Sequence, residues 1–383
     1  MVFMEGIDHS ELVRGLLKIP LFREIHNLLS STRGPVDWKL AQQLSDAVAG
    51  AGVRNTRPGG ADLDELYQSC RIAELAVVAH SGLGPVRGVT DVQVLGRPQW
   101  ARFNLEAMRP LAERLAQRLT GGAADQPELG PLRSVVGPVG PLVMGAQFGL
   151  IVGYLSHQAL ALWDFRLPRG EPGHLCFNYP NVLQVHSELE VDRRQFVMWM
   201  AISEVASELH FQAVGWARPY LTGLIEQYVD AAELDSSELA SKLQTMTSPQ
   251  DLAFLLQRPE DLLPMLRSPA QEVVAEKIEG FLGIAEAYCD WITQRAAASL
   301  VEQHARIREG MRRRTAERSS AERLLEKLFG IDLSLPIRRS SERFIAAIAE
   351  AGRLDRLWNK APNLPSLDEL AQPERWISRV GVG

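Results

Sequence analysis

A mainly α-helical fold with a small, short-stranded β element is what this sequence predicts, and three observations carry the expectation. Apolar residues recur at three- and four-residue spacing along most of the chain. Only residues 89–95 and 174–179 have the short, turn-bounded character of strands. The composition, 46% hydrophobic and 23% charged over 383 residues, is that of an ordinary globular protein with enough apolar surface for a sizeable core.

In chain order, the first helix follows the turn dipeptide Gly34-Pro35. Asp37 is placed to cap it, Leu40, Leu44 and Val48 fall on one face, and Gly50 ends it. Residues 54–62 are polar and glycine-rich, 63–79 resume helical periodicity, and 98–120 give a longer amphipathic helix that stops at Gly121-Gly122. Residues 121–129 read as a linker, rich in small and acidic side chains. That divides the chain into an N-terminal extension (1–34), an N-terminal helical region (35–120) and a helical core (130–383), the last two packed as one globular unit.

Residues 134–163 carry no charge, and Gly145, Gly149 and Gly153 stand at every fourth position. Such a flat stripe lets another helix approach closely, in water as in lipid. Pro138, Pro141, Gln147, His157 and the lack of flanking Lys/Arg clusters argue against a membrane span. The expectation is a buried helix over 143–162, with the helix bearing Glu204 as its neighbour. Residues 181–186 continue in an apolar vein after the second strand, and helices follow over 196–213, 219–234 and 270–298.

Charge narrows the functional classes. With 41 basic against 47 acidic residues the net charge is -6, which gives a phosphate backbone no general attraction, so no nucleic-acid partner is expected. Cys70, Cys176 and Cys289 form no C-x-x-C pair, and Glu5 and Asp8 precede any apolar run at the N-terminus, so a cytoplasmic protein without export signal is expected. The basic cluster Arg306, Arg308, Arg312, Arg313, Arg314 and Arg318 is interleaved with Glu309, Glu317 and Glu322, which fits a solvated helix face.

The chemistry concentrates around Glu204. Residues 196–202 are apolar on every side, so the carboxylate of Glu204 enters the interior, where it needs a partner, a proton or a metal. Ser203 and Ser207 flank it at i and i+4 on one helix face, and His210 continues that face one turn on. This is the layout of H-E-x-x-H, in which two imidazoles hold zinc and the glutamate activates the metal-bound water, with hydroxyls in place of both imidazoles.

The surroundings of that pentapeptide, from Leu209-His210-Phe211-Gln212 through Gly215-Trp216-Ala217-Arg218-Pro219-Tyr220, resemble a zincin-like metallopeptidase family of actinobacterial type, labelled as hydrolases associated with deazaflavin-coenzyme biosynthesis. The resemblance extends over Gly34-Pro35-Val36-Asp37-Trp38, 149–168, Pro180-Asn181-Val182, 188–192, 324–335, Glu342-Arg343-Phe344, Leu357-Trp358, Asn363-Leu364-Pro365 and Trp376. It implies a zincin-like helical core, zinc as the family's metal, and Glu204 as the general-base position. The family's two helix ligands fall on Ser203 and Ser207, and its later glutamate falls on Glu286, within Ala285-Glu286-Ala287-Tyr288-Cys289-Asp290. Ser334 and Ser341 stand near positions where the family tends to have lysine and glycine.

Zinc lowers the pKa of its water by roughly nine units, about 12 kcal/mol of nucleophile activation, which a lone glutamate cannot replace. The leading expectation is therefore a catalytically silent scaffold or binding protein with an unknown peptide or protein partner and no cofactor. The alternative is an active hydrolase whose metal is held by Glu204, Glu208, Glu286 and a histidine such as His210. A serine nucleophile with His210 as base is geometrically conceivable at i, i+3, but no oxyanion-hole signature accompanies it.

Overall fold

The computed structural model describes residues 34–51, 59–83, 86–124, 133–165, 173–232, 268–316 and 335–381. Asp37 caps α1 (Trp38–Ala49) as expected, its carboxylate accepting from the Leu40 amide at 2.9 Å. Then come α2 (Gly60–Ser81), β1 (Asp91–Leu95), α3 (Arg97–Ala124), α4 (Arg133–Leu155), β2 (His174–Asn178), α5 (Tyr179–Glu188), α6 (Arg193–Ala213) and α7 (Ala217–Asp230). The C-terminal part holds α8 (Pro269–Leu300), α9 (His304–Ala316), α10 (Leu335–Glu350) and the short α11 (Leu354–Leu357), α12 (Leu367–Ala371) and α13 (Pro373–Val380). The fold is mainly α, and the two strands are its small β element.

The strands pair in parallel, from Asp91 opposite His174 to Leu95 opposite Asn178. Each runs at its carboxyl end into a helix. Arg97, opening α3, joins the two exits by donating through Nε to Asn181 Oδ1 at 2.6 Å and through Nη2 to Gln184 Oε1 at 2.9 Å on α5. Residues 181–186, the apolar stretch that follows β2, are helical, with Pro180 at the start of α5 where its missing N–H costs nothing.

Apolar packing is organised around α6. It lies between α2 and α8, and α8 packs in turn on α7 and α10. Phe196, Ile202, Val205 and Leu209 of α6, Phe281, Ile284 and Ile292 of α8, and Cys70, Ala73 and Val77 of α2 are all fully covered in this one core. A second cluster joins α1, α3, α4 and the end of α7 through Ala41, Leu105, Leu115, Phe148, Val152 and Val229.

The glycine stripe of α4 is crowded, but by α1 and not by the helix bearing Glu204. A Cβ on Gly149 would lie 2.8 Å from Ala41 Cα, and one on Gly153 would lie 2.8 Å from Val48 Cβ. The helix itself ends at Leu155, not at 162, in a tight turn in which the Gln158 and Ala159 amides both donate to Leu155 O at 2.9 Å; just beyond it Ser156 O accepts from Asn178 and Asn181 through Nδ2, at 2.7 and 2.8 Å. Among the described residues no helix is long and apolar enough to cross a membrane. The expected linker beyond Ala124 and most of the family-like stretch 324–335 lie outside the described residues.

Candidate functional site

Helix α6 starts at Asp192, whose carboxylate caps it by accepting from the Gln195 amide at 3.1 Å, and it carries Ser203, Glu204, Ser207, Glu208 and His210 through the core. Every one of these except Ser203, which is half-buried, is covered to within a few per cent. The Ser207 hydroxyl donates back along its own helix to Ser203 O at 3.1 Å, the usual resting place of a serine inside a helix.

Glu204 is 3% exposed and accepts at Oε2 from the backbone amide of Trp163, at 3.0 Å. Trp163 closes over this point and stacks on Phe211 with ring centroids 4.8 Å apart. The charge of Glu204 reaches across to α2, where Cys70 sits wholly buried. Burial first, and then the carboxylates of Glu204 and Glu74, push the Cys70 thiol up to about 12.

Glu208, one turn on, is 1% exposed and is equally occupied with backbone. Its Oε1 accepts from the Gly173 amide at 2.6 Å and from Gln212 Nε2 at 2.9 Å. Gln212 in turn exchanges two hydrogen bonds with Gly88, accepting from its amide at 3.2 Å and donating to its carbonyl at 3.0 Å. Gly88 and Gly173 both have positive φ, +83° and +94°, where a side chain would be strained. Glu208 and Gln212 thus hold the entries of β1 and β2 together on the surface of α6.

His210 is fully buried in an aromatic box, with Trp358, Phe211 and Tyr288 at ring-centroid distances of 4.2, 5.1 and 5.3 Å. Two further histidines have local partners: His157 Nε2 lies 2.8 Å from Val48 O, and His174 Nδ1 lies 3.5 Å from the carboxylate of Asp91.

Glu286 comes from the middle of α8. That helix is fixed against α6 by the Cys289 thiol, 3.9 Å from Ala206 O, and against the end of α2 by the Tyr288 hydroxyl, which donates to Ser81 O at 2.8 Å. The Glu286 carboxylate faces Arg338 of α10, with Nη2 at 3.2 Å. Arg338 is a residue that sequence reasoning missed, since its partner lies far back along the chain. In the basic cluster on α9, Arg313 pairs with the interleaved Glu309 at 2.8 Å, whereas Arg312 pairs with Glu342 at 2.6 Å and Arg306 with Glu190 at 3.3 Å, acids from other parts of the chain.

Ser203, Ser207 and Glu286, the positions that the resemblance assigns to metal ligands, do not suit zinc, which takes three or four imidazole, thiolate or carboxylate ligands. Two positions carry hydroxyls, one of them bonded to its own helix, and the third carries a carboxylate already in an ion pair. Among the described residues no three His, Cys, Asp or Glu side chains come together in a way that could hold a metal ion.

The model of a family described as zincin-like metallopeptidase matches residues 36–377. A crystal structure from Chloroflexus aurantiacus, provisionally described as a hydrolase with a novel fold, superposes with a TM-score of 0.65 at 22% identity, covering 91% of this chain and 99% of that one. At that identity the likeness is one of fold. No curated protein matches the chain.

Proposed function

This chain belongs to the zincin-like metallopeptidase family, and we propose that within it the chain is a catalytically silent scaffold or binding protein for a peptide or protein partner. The observation that carries the reading is the state of the two helix ligand positions. Ser203 and Ser207 offer neutral hydroxyls where imidazoles are required, and the Ser207 hydroxyl is turned back onto the Ser203 carbonyl at 3.1 Å.

Glu204 supports it from the other side. A general base must reach a water or substrate proton, whereas this carboxylate is covered and takes the Trp163 amide. Without a metal the water it could address would keep a pKa near 15.7, and the roughly 12 kcal/mol of activation supplied by zinc would be missing. Glu204 is therefore assigned a structural role, as is Glu208. We place the protein in a reducing compartment, the cytoplasm, on the strength of Cys70, Cys176 and Cys289, all buried and none in a disulfide.

The test is hydrolysis of a mixed peptide library by the unmodified protein, with and without added zinc. The expected result is no cleavage above background in either condition. Zinc-stimulated cleavage that disappears in Glu204→Gln would overturn the reading.

A further inference from the structure

We propose that Arg338 brings to Glu286, from within the chain, the positive charge that a metal ion would bring in the family, so that the third ligand position is closed by a guanidinium. The inference rests on the reading of Ser203 and Ser207 given above. It concerns a different pair of helices.

Glu286 and Arg338 leave only 13% and 18% of their side chains exposed, and Arg338 Nη2 stands 3.2 Å from Glu286 Oε1. A carboxylate so nearly covered needs a proton, a metal or a cation, and a guanidinium is a cation that does not titrate in a protein. The packing brings it there. Gly283, one turn before Glu286, has no side chain, and a Cβ in its place would lie 3.0 Å from both Ile337 Cγ2 and Ser341 Oγ. Helix α10 can therefore lie directly on α8 at this level, which lays Arg338 over Glu286.

The polarity of the contact points the same way. Arg338 Nε and Ser341 Oγ, one turn apart on α10, are both buried and have no hydrogen-bond partner. The contact thus keeps a further N–H donor of the guanidinium unused at this level of the helix pair. A fixed guanidinium beside the carboxylate suits an acid and repels a divalent cation. Zinc could use Glu286 only after displacing Arg338. Imidazoles at 203 and 207 alone therefore leave the ligand set incomplete.

Two sets of variants of the full-length chain test this. In the first, zinc alone is titrated calorimetrically into Ser203→His/Ser207→His and into the same protein with Arg338→Gln added. The triple variant is expected to bind zinc at least roughly tenfold more tightly, the scale on which charged neighbours tune metal sites. Equal affinities, or no zinc binding by either protein, would overturn the proposal.

In the second, Glu286→Gln and Arg338→Gln are compared singly and together by thermal melting in the otherwise unmodified chain. The combined variant is expected to melt above Arg338→Gln alone, because it no longer holds an unpaired acid. Strictly additive losses would also overturn the proposal. Neither readout depends on catalysis. Cleavage by the unmodified protein would defeat the scaffold reading, whereas equal zinc affinities would defeat only the role of Arg338.

Discussion

Two helices of this protein carry four-residue repeats of small residues, and they differ in what fixes them. On α4, Gly145, Gly149 and Gly153 lie against α1, and a Cβ on Gly149 would stand 2.8 Å from a backbone atom of Ala41. On α6 the repeat is Ser203 and Ser207. Ser203 is half-buried, and the Ser207 hydroxyl bonds the carbonyl one turn before it. The first repeat is dictated by the distance between two main chains, so the side chain has no freedom. The second is a place where side-chain chemistry can change while the helix around it stays as it is. On the reading proposed above, α6 is a zinc helix that keeps its backbone, its cap and its buried glutamate without its ligands.

If that contrast is right, substitutions should rank accordingly. Gly149→Leu is expected to cost about 3 kcal/mol or more, because its side chain would have to displace backbone and not merely a neighbouring rotamer. A melting temperature within a degree or two of the parent would remove one side of the comparison.

Next comes Glu208→Ala. It strips the acceptor from the Gly173 amide and from Gln212, which hold the strand entries, and unsatisfied buried donors of this kind cost about 2 kcal/mol together. Chemical denaturation checks the loss. Protection of the β1 and β2 amides in hydrogen exchange should fall with it, and unchanged protection would show that Glu208 does not hold the strands.

A third expectation concerns the charge of Glu204 felt at Cys70. The thiol is raised from 9.0 to about 12 by burial and by the two carboxylates, so the folded protein holds a proton that the unfolded chain releases. Stability is then full below about pH 9 and declines as the pH rises towards 12, by about 1.4 kcal/mol at pH 10. Tyr179, raised from 10.0 to about 12 by burial and Asp62, adds to the decline at its upper end. Cys70→Ala should flatten the curve between pH 9 and 10, and an unaltered curve would show that the thiol does not contribute.

The smallest effect is expected for Ser207→Ala, about 1 kcal/mol or less, since a hydroxyl bonded to its own helix is nearly dispensable. A loss as large as that of Gly149→Leu would erase the contrast between the two repeats.

How much of this was legible beforehand follows from the range of the interactions. The cap at Asp37, the amphipathic face of α1 and the long α8 are written in neighbouring residues, and the sequence predicts them with nearly correct limits. The start of α4 is hidden because Gly137, Pro138, Gly140 and Pro141 argue against helix, yet the helix runs through them. Its end is hidden for the opposite reason: the apolar run continues to Leu162, yet the chain leaves the helix in a tight turn in which the Gln158 and Ala159 amides both donate to Leu155 O.

The site divides in the same way. Ser203, Glu204 and Ser207 can be read off one helix turn, and the burial of Glu204 follows from the apolar run before it. Its partner, the Trp163 amide, and the partner of Glu286, Arg338, belong to distant segments with no local signature. Tyr288 and Trp358, which enclose His210, are equally remote from it in the chain.

The central claim is that this zincin-like helix no longer holds its metal, and the metal content of the unmodified protein tests it most directly. After gentle purification without chelators, elemental analysis should find zinc and every other transition metal well below one per chain. One tightly held transition metal per chain would contradict the account and restore the case for a hydrolase with rearranged ligands.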